Sequence, residues 1–110
     1  MHGPLRIRTL RITDSAYVVS LGGELDLAAV AEVEAELSGA ERPSVIVDLL
    51  DVTFMDSAGL AVLVRASRRS RLTLVADRCA LRVLERAGAD DRFHIHATLW
   101  AAVDEALALA

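Results

Sequence analysis

Lysine is absent from this sequence of 110 residues, cysteine occurs once and proline twice, and aromatic side chains make up only 4%. A lone cysteine, Cys79, excludes an intramolecular disulfide and cannot furnish a multi-cysteine zinc site. It reads as a small buried hydrophobe rather than a nucleophile. With only Pro4 and Pro43, and no run of Gly and Ser, nothing marks a linker between two halves. No stretch approaches the ~18–20 uncharged apolar residues that cross a bilayer, so membrane insertion is not expected. Residues Met1–Arg11 are interrupted by Arg6, Arg8 and Arg11 and lack the apolar core and cleavage site of a secretory signal, so a cytoplasmic protein is the expectation. Basic charge is also short. All 12 basic residues are arginine, which we read as coding bias, and against 16 acidic residues they leave a net charge of −4. That balance argues against a nucleic-acid binder relying on bulk positive charge.

What the sequence does have is apolar content. Hydrophobic residues make up 54% and mean hydropathy is +0.39. A chain of this length buries roughly two-thirds of its unfolded surface, enough for one core. That composition excludes a disordered tail. The expectation is one domain over residues 1–110.

Periodicity predicts the elements. Leu5–Ile12 begins with apolar/polar alternation, as in a half-solvated edge strand. Thr13-Asp14-Ser15 supplies a turn, and Ala16–Leu21 reads as a second strand that Gly22-Gly23 breaks. From about Asp26 to Ser38 apolar residues recur at three and four. Leu27, Val30, Val33 and Leu37 share one helical face, with Asp26 as N-cap and Gly39 as C-cap. Pro43 leads into Ser44–Leu49, a β-branched run suited to a strand covered on both faces. A loop over Leu50–Asp56 precedes a helix at about Ser57–Arg69 with Leu60, Leu63, Val64 and Ser67 inward. Then come a strand at Leu72–Ala76, a helix at Arg78–Ala87 capped by Asp77 and ended by Gly88, a strand at Phe93–His96, and a final helix capped by Thr98. Trp100, Val103 and Leu107 form that helix's stripe, with Trp100 in core packing. The pattern is α/β: a mixed, mostly parallel sheet of about five strands, an N-terminal β-hairpin and about four helices.

The segment closest to chemistry is Phe54-Met55-Asp56-Ser57-Ala58-Gly59-Leu60. In open α/β sheets, sites gather beyond the carboxyl ends of the strands. A helix start there presents unpaired N–H groups and a positive dipole end. A phosphoserine at Ser57 would carry about −1.5 to −2 charges and accept hydrogen bonds from those amides. Ala58 and Gly59 leave room for a second protein. Asp56 would repel the phosphate, or orient the hydroxyl before transfer. The plain alternative is that Ser57 is an N-cap worth about 1 kcal/mol. Gly23-Glu24-Leu25-Asp26 lies at another strand-to-helix junction. Asp26 and Asp56 both flank Ser57 if the two strands are neighbours; otherwise Gly23 supplies a turn and Asp26 a cap.

These two segments together resemble the STAS domain, in its stand-alone form as an anti-sigma factor antagonist. The carrying motifs are Asp56-Ser57-Ala58-Gly59-Leu60 and Gly23-Glu24-Leu25-Asp26, and element order and length match over essentially the whole chain. The resemblance implies a non-enzymatic protein, without a cofactor, that binds an anti-sigma factor serine kinase of the GHKL type and so releases a sigma factor. It implies that the kinase phosphorylates Ser57 from ATP, that the phosphorylated form lets go, and that a PP2C-type phosphatase resets it. Gly23, Glu24, Asp26, Asp56, Ala58, Gly59 and Leu60 would line the phosphorylation and partner site. The chain departs from the pattern at Ala61, where many members have Gly, and over Arg65–Arg71, which lacks the Gly often found before the next strand. A STAS subunit of a transporter or signalling assembly outside the sigma pathway is the alternative.

Other features carry less. Arg65, Arg68, Arg69 and Arg71 sit at a predicted helix C-terminus, where cations complement the dipole; they form a solvated face or a patch for an acidic partner. His94 and His96 share a strand face but lack a full metal-ligand set, even with Asp90 and Asp91. Ser57 with a histidine suggests a hydrolase, but there is no Gly-x-Ser-x-Gly elbow.

Overall fold

The computed structural model describes residues 4–38 and 44–108. Gly39 and Pro43, assigned above to a C-cap and a strand start, lie outside them. The sheet has five strands in the order β1-β2-β3-β4-β5: β1 Arg6–Thr13, β2 Ala16–Leu25, β3 Ser44–Met55, β4 Arg71–Val75 and β5 His94–His96. β1 pairs antiparallel with β2, and every later pairing is parallel. Four helices are described: α1 Val30–Ser38, α2 Ser57–Ser67, α3 Arg78–Arg86 and α4 Leu99–Ala108.

The crossovers all step the same way across the sheet, so α1, α2 and α3 lie on one face. There Val33 and Leu37 of α1, Val62 and Leu63 of α2 and Leu84 of α3 pack with Val19, Leu21, Val47, Leu49 and Leu74. α4 covers part of the opposite face, where Ala102 and Ala106 meet Val18, Ile46 and Val75. Both faces of the central strands are therefore covered, which accounts for the continuous apolar run Val45-Ile46-Val47.

Four expectations need correction. Gly22-Gly23 does not end β2. The strand runs to Leu25 because β3 pairs with it throughout, Gly22 opposite Asp51 and Gly23 opposite Val52, with two register shifts. Gly23 lies at φ 85°, a backbone that favours glycine. For the same reason Leu50–Met55 is strand rather than loop. The apolar stripes are also rotated. α2 buries Gly59, Val62, Leu63 and Ala66, leaving Leu60, Val64 and Ser67 half-buried. α4 buries Ala102 and Ala106, while Trp100 is 80% exposed and Leu107 is exposed too. The small alanines bring α4 close to the sheet, Leu99 and Val103 pack at the edge of that contact, and Trp100 and Leu107 face away. Finally, Cys79 is exposed.

Candidate functional site at two adjacent strand ends

β2 and β3 end side by side. Leu25 pairs with Met55, and the amide of Asp56 donates to the Leu25 carbonyl at 3.3 Å. The segments Gly23–Asp26 and Asp56–Leu60 are therefore neighbours. The strand ladder that overruled the glycine pair is what joins them.

Asp56, not Ser57, is the N-cap of α2. Its backbone is extended (φ −107°, ψ −175°), and its Oδ1 accepts from the Gly59 amide at 3.0 Å. Ser57 is the first helical residue. It is exposed, and its hydroxyl makes no hydrogen bond among the described residues. The amides of Ser57 and Ala58 stand in the first turn without intrahelical acceptors. The cap expected of Ser57 is thus supplied one residue earlier, and the hydroxyl stands free at a donor-rich helix start.

Gly59 sets how near this helix start sits to β2. A Cβ there would lie 2.1 Å from the Leu25 carbonyl oxygen and 2.8 Å from Leu25 Cγ. No side chain fits at such distances against backbone. Glycine is required by close approach, and the approach fixes Ser57 relative to Asp26.

Asp26 is half-buried and extended (φ −127°), but its side chain makes no capping bond, contrary to expectation. The chain there enters a 3-10 turn, Leu27–Ala29, before α1 begins. Leu27, expected on the inward stripe, is 74% exposed, and Ala29 is buried in its stead. Glu24 is half-buried and pairs with Phe54, while Gly23 is buried within β2. Ala58 and Leu60 are half-buried beside Ser57. The exposed Leu27 and the 42% exposed Phe54 add apolar surface at these strand ends that periodicity did not single out. The only available signal was Leu27's position before the first full helical turn, where a predicted stripe has not yet settled.

The basic run divides. Arg65 of α2 and Arg69 just beyond its end both bind Glu34 of α1, at 3.3 and 3.1 Å. Arg71 binds Glu105 of α4 at 2.5 Å, and His96 binds the other oxygen of the same carboxylate. That pair of contacts sits on the α4 face, where the His96 hydrogen bond, opposed by burial and aided by Arg71, holds the Glu105 carboxyl below its ordinary range. His94 is exposed. Among the described residues no three metal-ligating side chains group together.

A family model described as STAS domain matches residues 8–106. No curated protein matches the chain. Among solved structures, an anti-sigma factor antagonist from Mycobacterium paratuberculosis superposes with a TM-score of 0.83 at 24% identity, covering 93% of each chain. The Bacillus cell fate determinant SpoIIAA in its phosphorylated form superposes at 0.72 and 24% identity, covering 92% of this chain and 99% of that one. A sulfate transporter family protein from Wolinella succinogenes superposes at 0.77 and 18% identity, covering 91% of each. At these identities the likeness establishes the fold.

Proposed function

This chain belongs to the STAS domain family, and on that premise we propose that it is an anti-sigma factor antagonist switched by phosphorylation of Ser57. The observation that carries the reading is the free, exposed Ser57 hydroxyl in the first turn of α2, with capping already supplied by Asp56. Solved structures of similar fold include anti-sigma factor antagonists, one of them phosphorylated, which supports the same reading.

In this reading the protein catalyses nothing and carries no cofactor. It works in the cytoplasm as one domain. It docks an anti-sigma factor serine kinase of the GHKL type through the surface around Ser57, and docking releases the sigma factor that the kinase held. Gly23 and Gly59 shape the surface, while Glu24, Asp26, Asp56, Ala58 and Leu60 line it. The kinase then transfers the γ-phosphoryl group of ATP to the Ser57 oxygen: the new P–O bond forms as the bond to ADP breaks, ADP leaves, and the hydroxyl proton passes to solvent or a base of the kinase. The free amides of Ser57 and Ala58 and the helix dipole accommodate the new charge, so the modified chain stays folded. Within the docked interface the same charge meets Asp26, Asp56 and apolar surface, and the complex parts. A PP2C-type phosphatase restores the hydroxyl.

A pull-down from host cytosol tests this. Wild type and Ser57→Ala should retain a GHKL-type kinase, and Ser57→Asp should lose it. Incubation with that kinase and ATP should place one phosphate on wild type and none on Ser57→Ala. Stoichiometric phosphate on another residue sinks the site assignment. A second reading, a STAS subunit of a transporter or signalling assembly, draws on the sulfate transporter family neighbour. A partner unrelated to kinases, held equally by wild type and Ser57→Asp, would favour it.

A further inference from the structure

We propose that the exposed side of α2 is a docking groove for an acidic, amphipathic segment of the partner protein. This rests on the reading above and names the chemistry of the surface the partner brings. A groove of about 360 Å³ runs along α2 from Ser57. Its floor is apolar: Leu60, Ala61 and Val64. Arg65 of α2, Arg68 at its C-cap and Arg92 also line it. Residues 57, 60, 61, 64, 65 and 68 fall at helical spacing on one face, so floor and rim form one continuous stripe.

The charge in this groove runs against the charge of the molecule. The chain carries −4 overall, yet three arginines and no carboxylate line the groove. Glu34 neutralises Arg65 in part, but Arg68 and Arg92 have no ion-pair partner among the described residues. Two unpaired guanidinium groups beside an apolar floor complement a segment that alternates carboxylates with apolar side chains, laid in the groove as a helix. A nucleic acid fits less well. The floor has no aromatic side chain on which bases stack, and the surrounding net charge is negative. Ser57 closes one end, so a phosphate there would repel carboxylates entering the same stripe.

The test uses the whole chain, isotope-labelled, and a probe helix with Glu and Leu at three- and four-residue spacing. The probe should shift the amides from Ser57 to Arg68 and that of Arg92. A matched peptide with Lys for Glu should not. Arg68→Glu with Arg92→Glu should weaken the acidic probe about tenfold or more, equivalent to about 1.4 kcal/mol. Both side chains are exposed, so the double variant should keep its circular dichroism. Arg68→Lys with Arg92→Lys should retain most of the binding, and raised salt should weaken it in wild type. Equal binding of both peptides, shifts elsewhere, an unaffected double charge reversal, or a DNA duplex competing at the same concentration would each overturn the proposal. Failure here is separable from failure of the switch. If the captured kinase is lost with Ser57→Asp but held by the double reversal, the switch stands and the groove falls. If the groove binds the probe while no kinase is captured, the reverse holds.

Discussion

Two junctions lie side by side in this fold, and they are built differently. At each, a parallel strand ends, an extended aspartate follows, and a helix begins. At Asp56 the carboxylate caps the helix and α2 is regular from Ser57 onward. At Asp26 the carboxylate caps nothing and the chain passes through a 3-10 turn with Leu27 in solvent. The same residue at the same topological position has two fates. Gly59 explains one of them, because it lets α2 start against the Leu25 carbonyl, where the Asp56 cap closes. The other junction keeps an uncapped carboxylate and an exposed leucine on the strand beside the one that leads into Ser57. One junction closes a helix cap, and the other leaves its aspartate without one.

The sharpest way to break this contrast is Gly59→Ala. Alanine in a helix normally gains about 1 kcal/mol over glycine. Here the new methyl would sit 2.1 Å from a backbone oxygen, so α2 must move. The clash wins, and we expect a net loss of about 3 kcal/mol or more by urea unfolding. A variant as stable as wild type would mean the junction is slack. Next in size is Asp56→Ala, which removes the cap and should cost about 1 kcal/mol, with Asp56→Asn retaining most of it. Asp77, which caps α3 by accepting from Ala80 at 2.9 Å, is the control: Asp77→Ala should cost the same and leave phosphorylation of Ser57 unchanged.

Which parts of this were legible beforehand follows a physical line. Strand and helix order was legible, because the edge strand alternates, the covered strands read as short continuous apolar runs, and the helices between them carry a three-and-four spacing. The caps at Asp77 and Thr98 were legible too, since capping depends on residues close in sequence. What failed depended on partners distant in sequence. Gly22-Gly23 reads as a break until β3 pairs across it. Leu50–Met55 reads as a loop until β2 supplies its ladder. Trp100 reads as core until Ala102 and Ala106 seat α4 on the sheet by their small size. The site motifs were visible as residues, but their adjacency was conditional on strand order. That Asp56 caps and Ser57 is free turns on a shift of one residue, finer than periodicity resolves.

The opposite face offers a milder comparison. Glu105 ties α4 to β4 and β5 through Arg71 and His96, and its carboxyl is held below the ordinary value near 4.5. A carboxyl with a lowered folded pKa stabilises above its unfolded pKa, and that contribution fades as pH falls through the folded value. Glu105→Gln should therefore lower the melting temperature at neutral pH and flatten the decline as pH falls below the ordinary carboxyl value near 4.5. The side chain is 28% exposed, so screening keeps the effect below about 1 kcal/mol. Parallel curves for variant and wild type would remove the ion pairs from the account of α4.

The smallest effect on stability is the most informative about function. Asp26→Ala removes a carboxylate that caps nothing, so stability should stay within about 0.5 kcal/mol of wild type. The neighbouring Asp56→Ala costs more, because that carboxylate caps α2. Kinase capture and phosphate incorporation then separate two meanings of the spare charge. If Asp26→Ala unfolds like wild type but loses capture, the carboxylate faces the partner, and its lack of an intrachain bond is what leaves it available. If capture survives and phosphate incorporation slows, it acts on the Ser57 hydroxyl instead. If neither changes, the unsatisfied junction is a feature of the turn alone, and the division between a structural and a presenting junction fails.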